Sequence, residues 1–114
     1  MIDPENLFDV GDTLFQGDPD EPHRRSAISR YYYGCHLLAA KVVGMEGDDR
    51  GGGTHRAVIK SLADRGAEKL ATDLDDLCKQ RNLCDYKLHK PFPSKQARKL
   101  KKKAEEARKQ IEQL

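Results

Sequence analysis

The apolar residues of this 114-residue chain recur at helical spacing, and this period constrains the fold more than any other feature. Apolar positions separated by three and four residues share one face of an α-helix, whereas a half-buried strand would alternate. The most apolar segment, residues 22–44, follows the helical rule at Ile28, Tyr31, Cys35, Leu38 and Val42. The period therefore predicts an all-α fold.

Four clusters rich in glycine and proline divide this helical pattern, at residues 16–22, 44–53, 66 and 90–94. They separate helices predicted at 3–15, 22–44, 54–66, 67–89 and 94–114. The helix at 22–44 is apolar almost all round, which is typical of the central helix of a bundle. We predict one domain over residues 1–114: an antiparallel up-and-down bundle of four main helices plus a short N-terminal helix.

Charge is distributed unevenly along the chain. The N-terminal helix and linker, residues 1–21, hold seven acids and no base. Residues 87–109 hold ten Lys or Arg against two Glu, mostly in the basic C-terminal helix at 94–114. Such a segment can attract polyanions, although a solvated helix face would show the same composition.

The compartment is predicted from what the sequence lacks. No apolar run approaches the roughly 18 residues of a membrane span, and the acidic N-terminus does not resemble a signal peptide. Three cysteines, an odd number without close pairs, indicate a reducing setting. We therefore expect a cytoplasmic protein with no membrane association.

Metal and cofactor sites are not predicted. The cysteines and histidines lack C-x-x-C or H-x-x-x-H spacing, and Cys35 and Cys84 fit apolar seams as small core residues. The run GGGTH, residues 51–55, can bring backbone N–H groups to an anion at the start of the third helix, but a flexible connector explains it more simply.

The fourth helix has a charged residue on its apolar seam. Its seam positions are Leu70, Leu74, Leu77, Arg81, Cys84 and Leu88. A guanidinium is costly to bury unpaired, so Arg81 needs a partner. Asp85, one turn on, can pair with it and fix the helix register. Alternatively, Arg81 points into a groove and holds an anion such as a phosphate.

Two further positions are open to a structural and a functional interpretation. His55 lies on a stripe with Ile59 and Leu62. Its position fits either a partly buried histidine or a binding residue. The tyrosines at 31–33 point about 100° apart, so at least one leaves the core, and we predict Tyr33. The face of the helix that carries Tyr33 also carries Ser29 and His36. These three side chains fit either polar packing or part of a pocket.

The chain contains three motifs: RSAISRYYYGC at 25–35, THRAVI at 54–59 and RNLCDY at 81–86. Their order and spacing resemble those of the HEPN domain family, especially of its small prokaryotic members. The resemblance covers roughly residues 5–112. It implies an up-and-down helical bundle that dimerises. For many members it also implies a metal-independent endoribonuclease of a toxin–antitoxin, CRISPR or phage-defence system.

The resemblance also implies roles for individual residues. The family signature is an arginine, commonly followed by a polar residue, with a histidine after four to six intervening residues, and two copies face each other across a dimer cleft. Arg81 and Asn82 match its start, Tyr86 stands where the histidine is expected, and His89 leaves seven intervening residues. The predicted catalytic residues are Arg81, Asp85, Tyr86 and His89; the predicted RNA- or nucleotide-binding residues are Arg30, Tyr33, His55 and Asn82.

Three functional hypotheses follow. In the first, the protein cleaves RNA: Arg81 stabilises charge on the phosphate, and His89 of a second copy or His55 transfers protons. In the second, a non-catalytic module binds a nucleotide, or a partner such as an antitoxin or a minimal nucleotidyltransferase, around Tyr33, Arg81 and Asp85. In the third, the basic helix of a scaffold binds nucleic acid by charge alone. Apolar surface beyond one small core, such as Leu83, predicts a homodimer.

Overall fold

The computed structural model describes residues 2–46 and 53–114, and that part of the chain forms five α-helices and no strand. The helices are α1 Pro4–Leu14, α2 Glu21–Val42, α3 Gly53–Asp64, α4 Glu68–Tyr86 and α5 Ser94–Glu112. The all-α prediction is confirmed. The centre of the predicted 44–53 connector, with most of the glycines of GGGTH, lies outside the described residues, and so does the anion contact suggested for it.

Helix α2 is the centre of the bundle, as its apolar surface predicts. It packs against α1, α3, α4 and α5, and α4 also packs against α3 and α5. The core side chains of α2 are almost fully buried: Ala27, Ile28, Tyr31, Tyr32, Cys35 and Ala39. Helices α2–α5 thus form the four-helix bundle, with the short α1 beside it. In the part of the chain described, no helix combines the length and apolar character needed to cross a membrane.

Local sequence signals set several helix ends. Asp3 caps α1 through its side chain, and Pro4 occupies the first turn, where a missing N–H group costs no helical hydrogen bond. Helices α2 and α3 end at Gly44 and Gly66, which adopt φ angles of 77° and 86°. In both, the N–H group after the glycine donates to the carbonyl five residues earlier, at 2.8 and 3.0 Å. These are Schellman motifs, which favour glycine because other residues rarely adopt positive φ.

The contact between α1 and α2 depends on two glycines. A Cβ atom on Gly11 would lie 2.7 Å from Cε1 of Tyr31, and one on Gly34 would lie 2.9 Å from Cε2 of Phe8. Each helix therefore presents a glycine to an aromatic ring of the other. This packing turns the face of Phe8 and Gly11 inward and leaves Val10 45% exposed. The helical spacing of Leu7, Val10 and Leu14 predicts that they share a buried face of α1. For Val10 this prediction was wrong, because spacing alone does not show the close approach of the two helices.

We expect Gly34→Ala to lower the free energy of unfolding by about 1–2 kcal/mol, because overpacking exceeds the gain in helix propensity. Urea denaturation measures this change. The matched control is Gly34→Ala combined with Phe8→Leu, in which the smaller side chain leaves room for the methyl group. The loss of unfolding free energy in this double variant should be smaller than the sum of the losses in the two single variants. Equal or higher stability of Gly34→Ala alone would contradict the close contact.

Several apolar residues predicted on buried seams lie at the surface instead. Helix α4 ends at Tyr86, three residues before the predicted end, so Leu88 lies in the following turn and is 72% exposed. The apolar spacing of the fifth helix predicts a seam that ends at Leu114: Ala97, Leu100, Ala104, Ala107, Ile111 and Leu114. Leu114 instead lies beyond the end of α5 and is exposed. The spacing also predicts Val42 on the apolar stripe of α2, and Ala63 on that of α3 with Val58, Ile59 and Leu62, but both lie exposed in the last turns of their helices. The seams of α4 and α5 are otherwise buried as predicted.

Candidate functional site

Arg81 lies on the buried side of α4, only 7% exposed, where that helix faces α2. Three aromatic rings surround its guanidinium. The distances from Cζ to the ring centroids are 5.5 Å for Tyr32, 5.1 Å for Tyr33 and 6.0 Å for Tyr86. These distances allow cation–π attraction, which stabilises a charge that cannot be removed by deprotonation.

Asp85 holds one side of the guanidinium. Its Oδ2 lies 3.6 Å from Nη1 of Arg81 and accepts a hydrogen bond from Oγ of Ser29 at 3.2 Å. The predicted ion pair is confirmed, but its distance is long for a hydrogen bond. Nε of Arg81 is buried and has no hydrogen-bond partner within the described ranges. The ion pair therefore leaves one donor of a buried cation unsatisfied, which is energetically costly.

A tyrosine and two histidines lie next to this guanidinium. Oη of Tyr32 is 2.5 Å from Nδ1 of His55, so the pair links α2 to α3. The ring of His36 stacks on that of His55 with centroids 4.3 Å apart. Burial is the main cause that lowers the pKa of His36 to about 4, and the neighbouring imidazole of His55 and the charge of Arg81 add to it. Burial and Arg81 also lower the pKa of His55, so both imidazoles are neutral at pH 7.

The protonation of Tyr32 is fixed by its surroundings. Burial and then a hydrogen bond with Cys78 raise the pKa of Tyr32, so its hydroxyl stays protonated. When Tyr32 donates to the sulfur of Cys78, its oxygen can accept Nδ1–H from His55. In that tautomer Nε2 of His55 carries a free lone pair. The arrangement can therefore place a neutral proton acceptor near a fixed positive charge.

The remaining cysteines offer no nucleophile. Cys35 and Cys84 are buried, as predicted, and burial is the main cause that raises the pKa of each thiol to about 12. Neither thiol is ionised at neutral pH, so both act as small core residues. Within residues 2–46 and 53–114, no three His, Cys, Asp or Glu side chains come together as a group that could hold a metal ion.

The structure brings some of the predicted site residues together and separates others. Tyr33 is half-buried while Tyr31 and Tyr32 are buried, so the prediction that Tyr33 leaves the core is confirmed. The described contacts join Arg81 to Asp85, Tyr33 and Tyr86, and Tyr32 links them to the half-buried His55. The predicted residues that stay apart from this group are exposed: Arg30, Asn82 and His89.

His89 lies in the turn after α4, not on the helix that carries Arg81. Among the described residues it forms no hydrogen bond or ion pair with Arg81 or Asp85. Pro91 favours a helix end before this point, as the sequence suggests. A single copy of the chain thus does not join His89 to the guanidinium.

Sequence reasoning missed two members of the site, Tyr32 and Cys78, because both occupy helix positions that suit packing. One sequence pattern did indicate the site: Ser29, Tyr33 and His36 share a face of α2. Each of these contacts the group: Ser29 bonds Asp85, the ring of Tyr33 faces Arg81, and His36 stacks on His55. These contacts join the face of Ser29, Tyr33 and His36 to the group around Arg81.

A second buried arginine holds the end of α4. Arg25 is 7% exposed and pairs with Glu21 at 3.2 Å, and Glu21 also accepts the backbone N–H of Phe92 at 2.8 Å. The guanidinium donates to four main-chain carbonyls, those of Leu83, Cys84, Lys87 and Lys90. These bonds fasten the turn that carries His89 to the start of α2 and explain why α4 ends at Tyr86.

Comparison of the chain with protein-family models, curated proteins and solved structures found no match. The HEPN resemblance therefore rests on the three sequence motifs and stays a prediction. The geometry of the site provides an independent basis for a functional proposal.

Proposed function

We propose that the chain is a HEPN-like protein of a toxin–antitoxin or phage-defence system that binds RNA at Arg81 and cleaves it without a metal ion. One observation carries this proposal: a buried, permanently charged guanidinium has no acceptor at Nε among the described residues and lies beside neutral histidines. A phosphate oxygen entering past the half-buried ring of Tyr33 would supply that acceptor. Charge-assisted bonds of this kind are among the strong ones.

The reaction assigns a role to each group. Nε2 of His55 takes the proton of the 2′-hydroxyl, whose oxygen attacks phosphorus, and the bond to the 5′-oxygen breaks. Arg81 stabilises the charge that develops on the phosphate. The leaving 5′-oxygen receives a proton from His89 of a second copy, because within one copy His89 is exposed and away from Arg81. Tyr86 and Leu88, 74% and 72% exposed, offer apolar surface for that dimer.

The purified protein should cleave single-stranded RNA in EDTA and leave 2′,3′-cyclic phosphate ends. His55→Gln and His89→Gln should each reduce the rate by about 100-fold or more, the typical contribution of a general acid or base. His23→Gln, an exposed change in the first turn of α2, is the control. Because the pKa of His55 is lowered, its neutral form persists to lower pH, and the rising limb of the pH profile should have its midpoint below pH 6.5.

A mixing experiment tests the composite site. Copies carrying His55→Gln and copies carrying His89→Gln are both inactive, but a mixed dimer contains one complete site. After subunit exchange the mixture should regain about a quarter of the wild-type rate, because half of the dimers are mixed and each has one intact site of two. No cleavage by folded, dimeric wild-type protein would exclude this function. A protein that cleaves RNA as a monomer would exclude the role of His89.

One observation favours a second candidate, a non-catalytic module that binds a nucleotide or a partner such as an antitoxin or a minimal nucleotidyltransferase. The ring of Tyr86 is exposed yet lies 6.0 Å from the guanidinium of Arg81, so a base stacked on it could place its phosphate near the cation. Base–aromatic stacking contributes about 1–3 kcal/mol. In this case Tyr86→Ala should weaken binding about 10-fold or more, and wild-type protein should bind without cleaving RNA.

A further inference from the structure

Helix α5 carries a row of cations on its outer face. Its inner face consists of small and aliphatic residues buried against α2 and α4. At 100° per residue, the positions opposite that face fall within an arc of about 100° and extend about 21 Å along the helix axis. We call the five exposed cations of this arc the α5 basic stripe: Lys95, Arg98, Lys99, Lys102 and Lys109. One exposed acid, Glu106, lies in the same arc.

The stripe is not neutralised by the chain itself. Within the described ranges, none of its five residues forms an ion pair with a carboxylate. Cations on the flanks of the same helix do: Lys101 pairs with Glu105, Lys103 with Asp76, and Arg108 with Glu112. Like charges at i, i+3 and i, i+4 destabilise a helix, so a merely solvated face would gain from alternating signs. The stripe differs over its first two turns, where Lys95, Arg98, Lys99 and Lys102 follow one another on the arc with no acid between them; the single acid of the arc, Glu106, lies between Lys102 and Lys109.

The acids of the N-terminal segment are engaged elsewhere. Between residues 3 and 21, six of the seven make contacts within the chain. Asp3 caps α1, and the other five contact named partners: Glu5 with Arg108, Asp12 with Tyr31, Asp18 with Ser94, Asp20 with His23, and Glu21 with Arg25. The chain's small net charge of +2 therefore conceals a local surface with strong positive potential.

We propose that the α5 basic stripe binds the phosphate backbone of a single-stranded nucleic acid, at a site separate from Arg81. A row of cations along one face of a helix matches a linear polyanion, and such binding needs no base contacts. A membrane surface fits less well, because helices that bind membranes insert an apolar face. The apolar face of α5 is already buried in the bundle. This proposal for the α5 basic stripe does not depend on the RNA cleavage proposed at Arg81.

The test compares two triple variants of equal charge change. Lys95→Gln/Lys99→Gln/Lys102→Gln removes three of the five cations of the stripe. Lys60→Gln/Lys69→Gln/Lys79→Gln removes three exposed lysines that pair with carboxylates on α3 and α4. The probe is a fluorescent 20-nucleotide oligodeoxythymidine, which has no 2′-hydroxyl and so cannot be cleaved by the proposed reaction. Both variants should keep the circular dichroism spectrum of the wild type.

Removal of three phosphate contacts should weaken binding about 10- to 100-fold at 0.1 M salt and reduce the slope of log K against log salt by about 2. The control variant should lose less than about 3-fold, because its lysines contact no phosphate. Equal losses in both variants would overturn the proposal, since net charge alone would then explain binding. Tighter binding to phosphatidylserine vesicles than to the oligonucleotide would also overturn it. If Arg81→Met still binds the oligonucleotide while the wild type does not cleave RNA, the result would support the stripe and exclude only the cleavage function.

Discussion

Arg81→Met should reduce the rate of RNA cleavage by about 100- to 1,000-fold, the usual cost of losing a group that stabilises transition-state charge. The same change should leave the free energy of unfolding unchanged or raise it by about 1 kcal/mol, because it removes an incompletely satisfied buried cation. Nε of Arg81 has no acceptor in the part of the chain that the structure describes, and the 3.6 Å ion pair with Asp85 is long. Methionine continues the apolar seam between Leu77 and Cys84.

Single-turnover cleavage and urea denaturation on one protein preparation measure both quantities. Arg30→Met is the matched control, because Arg30 is exposed on the neighbouring α2, and it should change neither quantity. A loss of stability of about 3 kcal/mol on replacing Arg81 would identify its pair with Asp85 as the device that fixes helix register. Function would then have to be sought elsewhere in the molecule.

Unlike Arg81→Met, Arg25→Met should lower the free energy of unfolding by about 3 kcal/mol, because buried acceptors lose a charged donor. Its guanidinium bonds four main-chain carbonyls and the carboxylate of Glu21. Methionine can fill the space but donates no hydrogen bond. The last turn of α4 and the turn at 87–90 would lose the bonds that Arg25 provides, while the bonds of Glu21 and Arg24 to Phe92 would remain.

Chemical denaturation measures the size of this effect, and amide hydrogen exchange locates it. The backbone N–H of Phe92, which donates to Glu21, should exchange faster in Arg25→Met than in the Arg30→Met control. A change in unfolding free energy below about 0.5 kcal/mol, typical of surface substitutions, would contradict the structural role of Arg25.

The two arginines illustrate what the sequence could predict. Arg81 attracts notice because it interrupts an apolar seam, and its partner Asp85 is only four residues away. Arg25 gives no such signal, since it bonds carbonyls 58 to 65 residues distant in the sequence. Main-chain oxygens belong to every residue, so no side-chain pattern marks them. The end of α4, which these bonds set, was consequently predicted three residues too late.

The helices themselves were predictable because their signals are local. The 3.6-residue period places five helices, Asp3 marks the start of α1, and Gly66 marks the end of α3. The buried face of α1 was predicted incorrectly at Val10, because it depends on ring contacts of Gly11 and Gly34 between two helices. At the site, Tyr33 and Asp85 were predicted, whereas Tyr32 lies on a core stripe and gave no sign of its bond to His55.

The contacts of Arg25 have a consequence for how this protein can evolve. Because the guanidinium binds main-chain oxygens in the turn at 87–90, its hold does not depend on the identity of the exposed side chains there. Substitutions of Lys87, Leu88, His89 or Lys90 can accumulate without loosening the turn. Natural selection can therefore exchange the chemical groups that this loop offers to a partner, while the helical scaffold beneath it stays the same.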